Sequence, residues 1–230
     1  MISMMVERTP TSPEAWASPE MRLLLLGAPH AESGEQIITF KNRKPLALLA
    51  YLAVSRRMQS REALSALLWP EHQTSRAYAY LRNALWQLGQ TPVGPWLITE
   101  QDTIVLAEGL WVDVVQMELH LAKTSAHSHA PEDLCPPCVS HLVEAISLYQ
   151  GDFMAGFTLT DSPDFEEWQF LQTEHLRQAA AQAMACLTGY HCAKGDLDAG
   201  LSIARRWLAL DPLNEPAHRA LMTLYARTGQ

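Results

Sequence analysis

Apolar positions along this chain follow two periods, and the switch between them marks where elements begin and end. MRLLLLG at 21–27 and EQIITF at 35–40 are short apolar runs flanking a turn-rich segment with Pro29 and Gly34, and they predict two strands. The spacing then becomes helical. Leu46, Leu49, Leu52 and Ala53 share one face of a helix predicted over 44–54, with Pro45 suited to its first turn. A second helix starts after Ser60, a capping residue followed by Glu62, and runs to Trp69 before Pro70. A third covers about Thr74 to Leu88, with Gly89 read as its stop. After a loop rich in Pro and Gly, residues 97–99 and 103–106 predict a hairpin around Glu100-Gln101-Asp102. Strands, three helices and a hairpin in this order predict a winged helix-turn-helix, in which helix 3 enters the major groove and the hairpin is the wing.

Helix 3 can be resolved further at 100° per residue. Ala77, Leu81, Ala84, Leu85 and Leu88 form one stripe, expected to face the core, while Arg76, Ala79, Tyr80, Asn83, Trp86 and Gln87 point away. Arg76, Asn83 and Gln87 have the chemistry to bond phosphates and base edges. An amphipathic helix with a merely solvated face would look similar, so the stripe alone does not decide.

Beyond residue 110 the pattern is helical. Residues 111–124 and 139–150 are predicted helices separated by a polar linker with Pro131, Pro136 and Pro137. Ser162-Pro163, with Asp164, Glu166 and Glu167 following, predicts the cap and first turn of a long helix ending near 193, before Gly195. LTGYHCAKGD at 187–196 then aligns with LMTLYARTGQ at 221–230, an offset of 34 residues that superposes Leu187 on Leu221 and Gly195 on Gly229. A 34-residue helix–turn–helix period is the tetratricopeptide signature. Asn214 is the expected cap of the helix that opens the next repeat. Because the sequence stops where that repeat's second helix should begin, a longer parent protein is expected.

The expected fold class is mainly α with a small β component: a winged helix-turn-helix domain over 21–110, then an all-α tetratricopeptide-like repeat domain over 111–230. Residues 1–20, with three Pro and no apolar period, are read as a flexible leader.

Charge sharpens this division. The chain is net −8, yet residues 41–82 carry eight bases against two acids. A basic cluster on one small domain is the electrostatic footprint of a phosphate-binding surface. Residues 111–230 carry seven bases and fifteen acids, a surface that a polyanion would repel. Four Cys are too few for a disulfide-built scaffold, and no stretch approaches the roughly 20 apolar residues of a membrane span, so a reduced cytoplasmic protein is expected.

RKPLALLAYLA, SREALSALLWP, LRNALWQLG, a wing ending in IVL, then VDVVQMELHL, LYQGDFMAGF and DSPDFEEW occur here in an order that resembles the SARP-type bacterial transcriptional regulators. In that family an OmpR-type winged helix precedes a bacterial transcriptional activator domain built of tetratricopeptide-like helices. The resemblance implies an activator that binds double-stranded promoter DNA and contacts RNA polymerase; whether it acts as a homodimer is not fixed by the sequence. It makes helix 3 the recognition helix, with Arg76, Tyr80, Asn83 and Gln87 its DNA contacts. Lys41, Arg43, Lys44, Arg56, Arg57 and Arg61 are then expected on phosphates, since cations outside the groove mainly position a protein. One departure from the family pattern is the acidic wing tip, Glu100-Gln101-Asp102, where a basic residue is common.

Other chemistry has one strong candidate. Cys135-Pro136-Pro137-Cys138 is a C-x-x-C pair with His127, His129 and His141 nearby, a set that suits zinc or a redox couple. An incidental structural role is the preferred reading, because no strand precedes the pair and two of the His lie in a polar linker. No P-loop, H-E-x-x-H or G-x-S-x-G motif is present, so neither catalytic residues nor a cofactor is expected. The two competing functions are an adaptor whose winged helix no longer binds DNA and a metal or thiol sensor using Cys135 and Cys138.

Overall fold

The computed structural model describes residues 21–128, 130 and 133–229; the leader proposed for 1–20 lies outside the described residues. The chain opens with three short strands, β1 (Met21–Leu24), β2 (His30–Ser33) and β3 (Gln36–Ile38). Alternation along β1 is plain: Met21 and Leu23 point inward, while Arg22 turns outward over the Trp111 ring and pairs with Glu32 at 3.0 Å. β2 falls where a turn was expected. Its sequence, HAES, is too polar to announce a strand, and antiparallel pairing with both β1 and β3 makes it one.

Three helices follow: α1 (Arg43–Ser55), α2 (Arg61–Leu68) and α3 (Thr74–Gly89). Ser60 caps α2 through its hydroxyl, which accepts from Ala63 N at 3.0 Å. All five residues predicted for the inner stripe of α3 are buried. Gly89 is not a left-handed cap; it is the last helical residue, and Gly94 folds back so closely that a Cβ there would meet the Gly89 carbonyl at 2.7 Å. Between α1 and α2 lies β4 (Gln59–Ser60), and after α3 come β5 (Leu97–Glu100) and β6 (Thr103–Leu106). These form a small sheet in the order β4-β6-β5, which is the wing.

β7 (Trp111–Val112) then returns to pair in parallel with β1, completing a sheet in the order β3-β2-β1-β7. Immediately after it, Asp113 starts α4 (Asp113–Ser125). The remaining helices are α5 (Pro136–Leu148), α6 (Pro163–Lys194), α7 (Leu197–Leu210) and α8 (Glu215–Thr228). The 34-residue repeat is visible as two matching stops: Gly195 and Gly229 adopt left-handed φ of 80° and 74°, which glycine tolerates without a Cβ penalty. Asn214 caps α8 as expected, accepting from Ala217 N at 3.0 Å. Ser162 precedes α6 but makes no side-chain cap; its hydroxyl donates instead to the Leu68 carbonyl at 2.9 Å, at the end of α2.

That contact belongs to a broad junction between the strands and helices before residue 110 and those after it. One continuous core runs from Met21 and Leu23 through the helix-turn-helix to Phe153, Phe165 and Ala180. The loop after α5 docks on the end of β1: Met154 N donates to Leu25 O at 2.7 Å, and Ala155 N to Gly27 O at 2.8 Å. Asp113, 3% exposed, holds the other side. Its carboxylate accepts from Leu25 N, Leu26 N and Val114 N at 2.7, 2.8 and 2.7 Å. Burial raises the pKa of this carboxyl, and the three backbone donors oppose the rise.

Candidate nucleic-acid interface

α2 and α3 are joined by a tight turn, and α3 lies across the domain with its apolar stripe down. Its opposite face carries Arg76, Ala79, Arg82, Asn83 and Trp86, all exposed. Trp86 is 64% exposed, a large apolar surface to leave in water on a helix this well buried below. Asn83 and Gln87, one turn apart, are joined by a hydrogen bond from the Gln87 amide to the Asn83 carbonyl. The Asn83 amide nitrogen remains a donor, and the Gln87 carbonyl an acceptor, so the pair can present both polarities to a base edge.

Arg82 was not among the residues singled out as DNA contacts, though it counts in the basic cluster. It lines the cleft between α3 and the wing, together with Arg61, Trp86, Leu97 and Thr99. The signal was available in the sequence: on a helical wheel Arg82 is seven residues from Ser75 and four from Trp86, on the outward face. Arg61 braces the wing as well, donating from Nε to Gln101 O at 2.9 Å, while its backbone N–H bonds Asp102 O at 2.8 Å. The wing tip keeps Glu100 and Asp102 exposed, and Gln101 turns the corner at a φ of 38°.

Tyr80 has a different place from the one expected. Its ring is half-buried beside Trp69 and His72, at centroid distances of 6.3 and 5.0 Å, with Arg76 above it at 6.0 Å. It supports α3 and Arg76 and does not project outward with Asn83.

The phosphate set divides more sharply. Lys41 and Arg57 are exposed. Lys44, by contrast, is withdrawn: its side chain is 13% exposed, its ammonium sits 2.8 Å from the Asp161 carboxylate, and it donates to Ser162 Oγ and the Leu68 carbonyl. Arg43 donates to the Thr158 carbonyl and hydroxyl, both at 3.0 Å, and lies over the Phe157 ring. Arg56 pairs with Glu118 of α4. The junction with the helical half engages all three, withdrawing Lys44 while Arg43 and Arg56 stay exposed. Sequence could not separate them from the rest, because their partners in the helical half lie 62 to 118 positions away.

The cysteine pair is also resolved. Cys135 caps the amino end of α5 and Cys138 is buried within its first turn. His127 Nδ1 lies 3.3 Å from each of the two sulfurs. His141 is not part of this group: its Nδ1 faces that of His120 at 3.2 Å, and burial, then the neighbouring His141, lowers the His120 pKa. Burial raises the Cys138 thiol pKa, and Cys135 beside it adds to the rise. His129 lies outside the described residues.

A winged helix-turn-helix fused to tetratricopeptide-like helices defines a class, a transcription-regulator architecture. Residues 112–230, just over half of the chain, match the bacterial transcriptional activator domain, and the chain belongs to that family. The resemblance to SARP-type regulators holds at this level. Among solved structures, EmbR of Mycobacterium tuberculosis, in complex with a low-affinity phosphopeptide, has the same fold: TM-score 0.69 at 20% identity, over 91% of this chain. The chain spans 55% of the length of that protein. No curated protein matches the sequence. No described helix is long and apolar enough to cross a membrane.

Proposed function

We propose that the chain is a sequence-specific DNA-binding activator, not an enzyme, acting in the cytoplasm. The winged helix over 21–110 docks on promoter DNA, and the acidic repeat domain over 111–230 contacts RNA polymerase. The observation that carries this reading is the outer face of α3. A buried stripe fixes the helix, and directly opposite stand Arg76, Arg82, Asn83 and Trp86, exposed and flanked by the Arg61–wing cleft. Asn83 and Gln87 read base edges. Arg76 and Arg82 flank the groove on either side, and Lys41, Arg57 and Arg61 hold phosphates. Arg43, Lys44 and Arg56 are left out of the interface because the helical half engages them.

Fluorescence anisotropy with promoter DNA tests the division of labour. Asn83→Ala should cost roughly 1–3 kcal/mol on the cognate site and little on scrambled DNA. Arg57→Ala should weaken both equally and lower the salt slope by about one. The exposed acids of the wing tip favour one second reading, a protein-interaction adaptor. Binding that stays blank even at low salt, where phosphate affinity is greatest, would select it.

A further inference from the structure

We propose that His127, Cys135 and Cys138 form a zinc-binding site that fastens the connection between α4 and α5. The three ligand atoms lie within 4.8 Å of one another, and His127 Nδ1 is 3.3 Å from both sulfurs. A tetrahedral zinc with Zn–S of about 2.3 Å and Zn–N of about 2.0–2.1 Å places its S and N ligands about 3.6 Å apart and its two S ligands about 3.8 Å apart. The side chains already stand within a few tenths of an ångström of the S–N separation. A disulfide couple would need only the two sulfurs. An imidazole nitrogen equidistant from both is what a shared ion requires, and that favours metal over thiol redox.

The local fold explains the convergence. Cys135 is the residue before α5 and Cys138 stands three positions on, so both lie at the amino end of the helix. His127 comes from the opposite side, just past the end of α4. The ion would tie the first residues beyond one helix to the cap of the next. Two further contacts hold the same segment. Leu134 is buried against Leu142 and Met184, and Asp133 pairs with Lys194 at 3.5 Å. Each thiol that binds gives its proton to solvent.

The test uses the reduced 230-residue chain, freed of metal by chelator, and zinc(II) itself, with cobalt(II) as the spectroscopic substitute. The proposal expects one zinc per chain and the thiolate charge-transfer and tetrahedral d–d bands of bound cobalt. Cys138→Ser should abolish both. His127→Ala changes an exposed residue and should leave the circular dichroism spectrum intact. It should weaken zinc by at least the roughly 10–100-fold that loss of an outer-shell partner costs, and remove the rise in Tm that zinc gives the wild type. No uptake at micromolar zinc would overturn the proposal. So would equal uptake by a Cys135→Ser/Cys138→Ser chain. A Cys135–Cys138 disulfide in the unreduced protein, with no zinc bound after reduction, would overturn it in favour of thiol redox.

Discussion

Asp113→Ala should be the most damaging single substitution at the junction between the two halves. The carboxylate satisfies three backbone donors, on Leu25, Leu26 and Val114, and those residues are 0%, 4% and 0% exposed. Removing it leaves three buried N–H groups without an acceptor, at about 1–3 kcal/mol each. Two effects reduce the sum. The raised pKa shows that burying the carboxylate has a cost, which the mutant escapes. Water can also re-enter the space left by the side chain. A net loss of about 3–5 kcal/mol is expected, the lower part of the sum over three unsatisfied donors. For a chain of this size that lowers Tm by roughly 6–20 °C. Asp113→Asn keeps one carbonyl oxygen, enough for the two donors that share Oδ2, and sets an amide nitrogen against Val114 N–H; it should lose about half as much. Urea unfolding followed by circular dichroism and tryptophan fluorescence measures both variants. An Asp113→Ala midpoint within about 0.5 kcal/mol of wild type, the spread of an ordinary surface change, would refute the reasoning.

Lys44→Ala should behave as a stability mutant, losing about 1–3 kcal/mol with DNA affinity unchanged per folded molecule, because its ammonium serves Asp161, Ser162 and Leu68; unaltered stability with weakened DNA binding would return it to the phosphate set. Glu100→Lys and Asp102→Lys at the wing tip should each strengthen binding to any duplex and steepen the salt slope by about one, checked by anisotropy across a salt series. Acid sensitivity should depend on Asp152, whose carboxyl the Arg177 guanidinium holds below the usual carboxylate range. A depressed carboxyl contributes stability above its unfolded pKa and loses it as pH falls through the folded value, so Arg177→Met should flatten the acid limb of the stability–pH curve. The slope is modest, since Asp152 is 43% exposed. Asp113 acts with the opposite sign, because its raised pKa favours folding at low pH and that contribution fades as pH rises through the folded value.

Local patterns were legible in the sequence and long-range partners were not. The inner stripe of α3 followed from its 3.6-residue period, and the caps at Ser60 and Asn214 from side-chain chemistry acting within three residues. β2 and β7 were missed because pairing, not composition, makes them strands; β7 is two residues long and finds β1 almost ninety positions back. Helix 3 ends at Gly89 as read from the sequence, although Gly89 is its last helical residue and not a left-handed cap. The basic cluster announced a phosphate surface in its net charge, but charge does not say which cation faces solvent. Lys44 and Arg57 look alike on paper, and what separates them is that Asp161, Ser162 and the Leu68 carbonyl gather around Lys44. The cysteine pair and its histidine show the same limit. The C-x-x-C spacing named the sulfurs, while the choice of His127 over His141 came from how α4 and α5 pack.

The central claim is that the outer face of α3 reads DNA. Its most direct test is the affinity of the wild-type chain and of Asn83→Ala for promoter DNA from around its own gene, with scrambled duplex as control, across a salt series. The account predicts tight binding to one site with a steep salt slope, and an Asn83→Ala loss confined to that site. Equal, weak binding of both proteins to both duplexes, or none even at low salt, would contradict it.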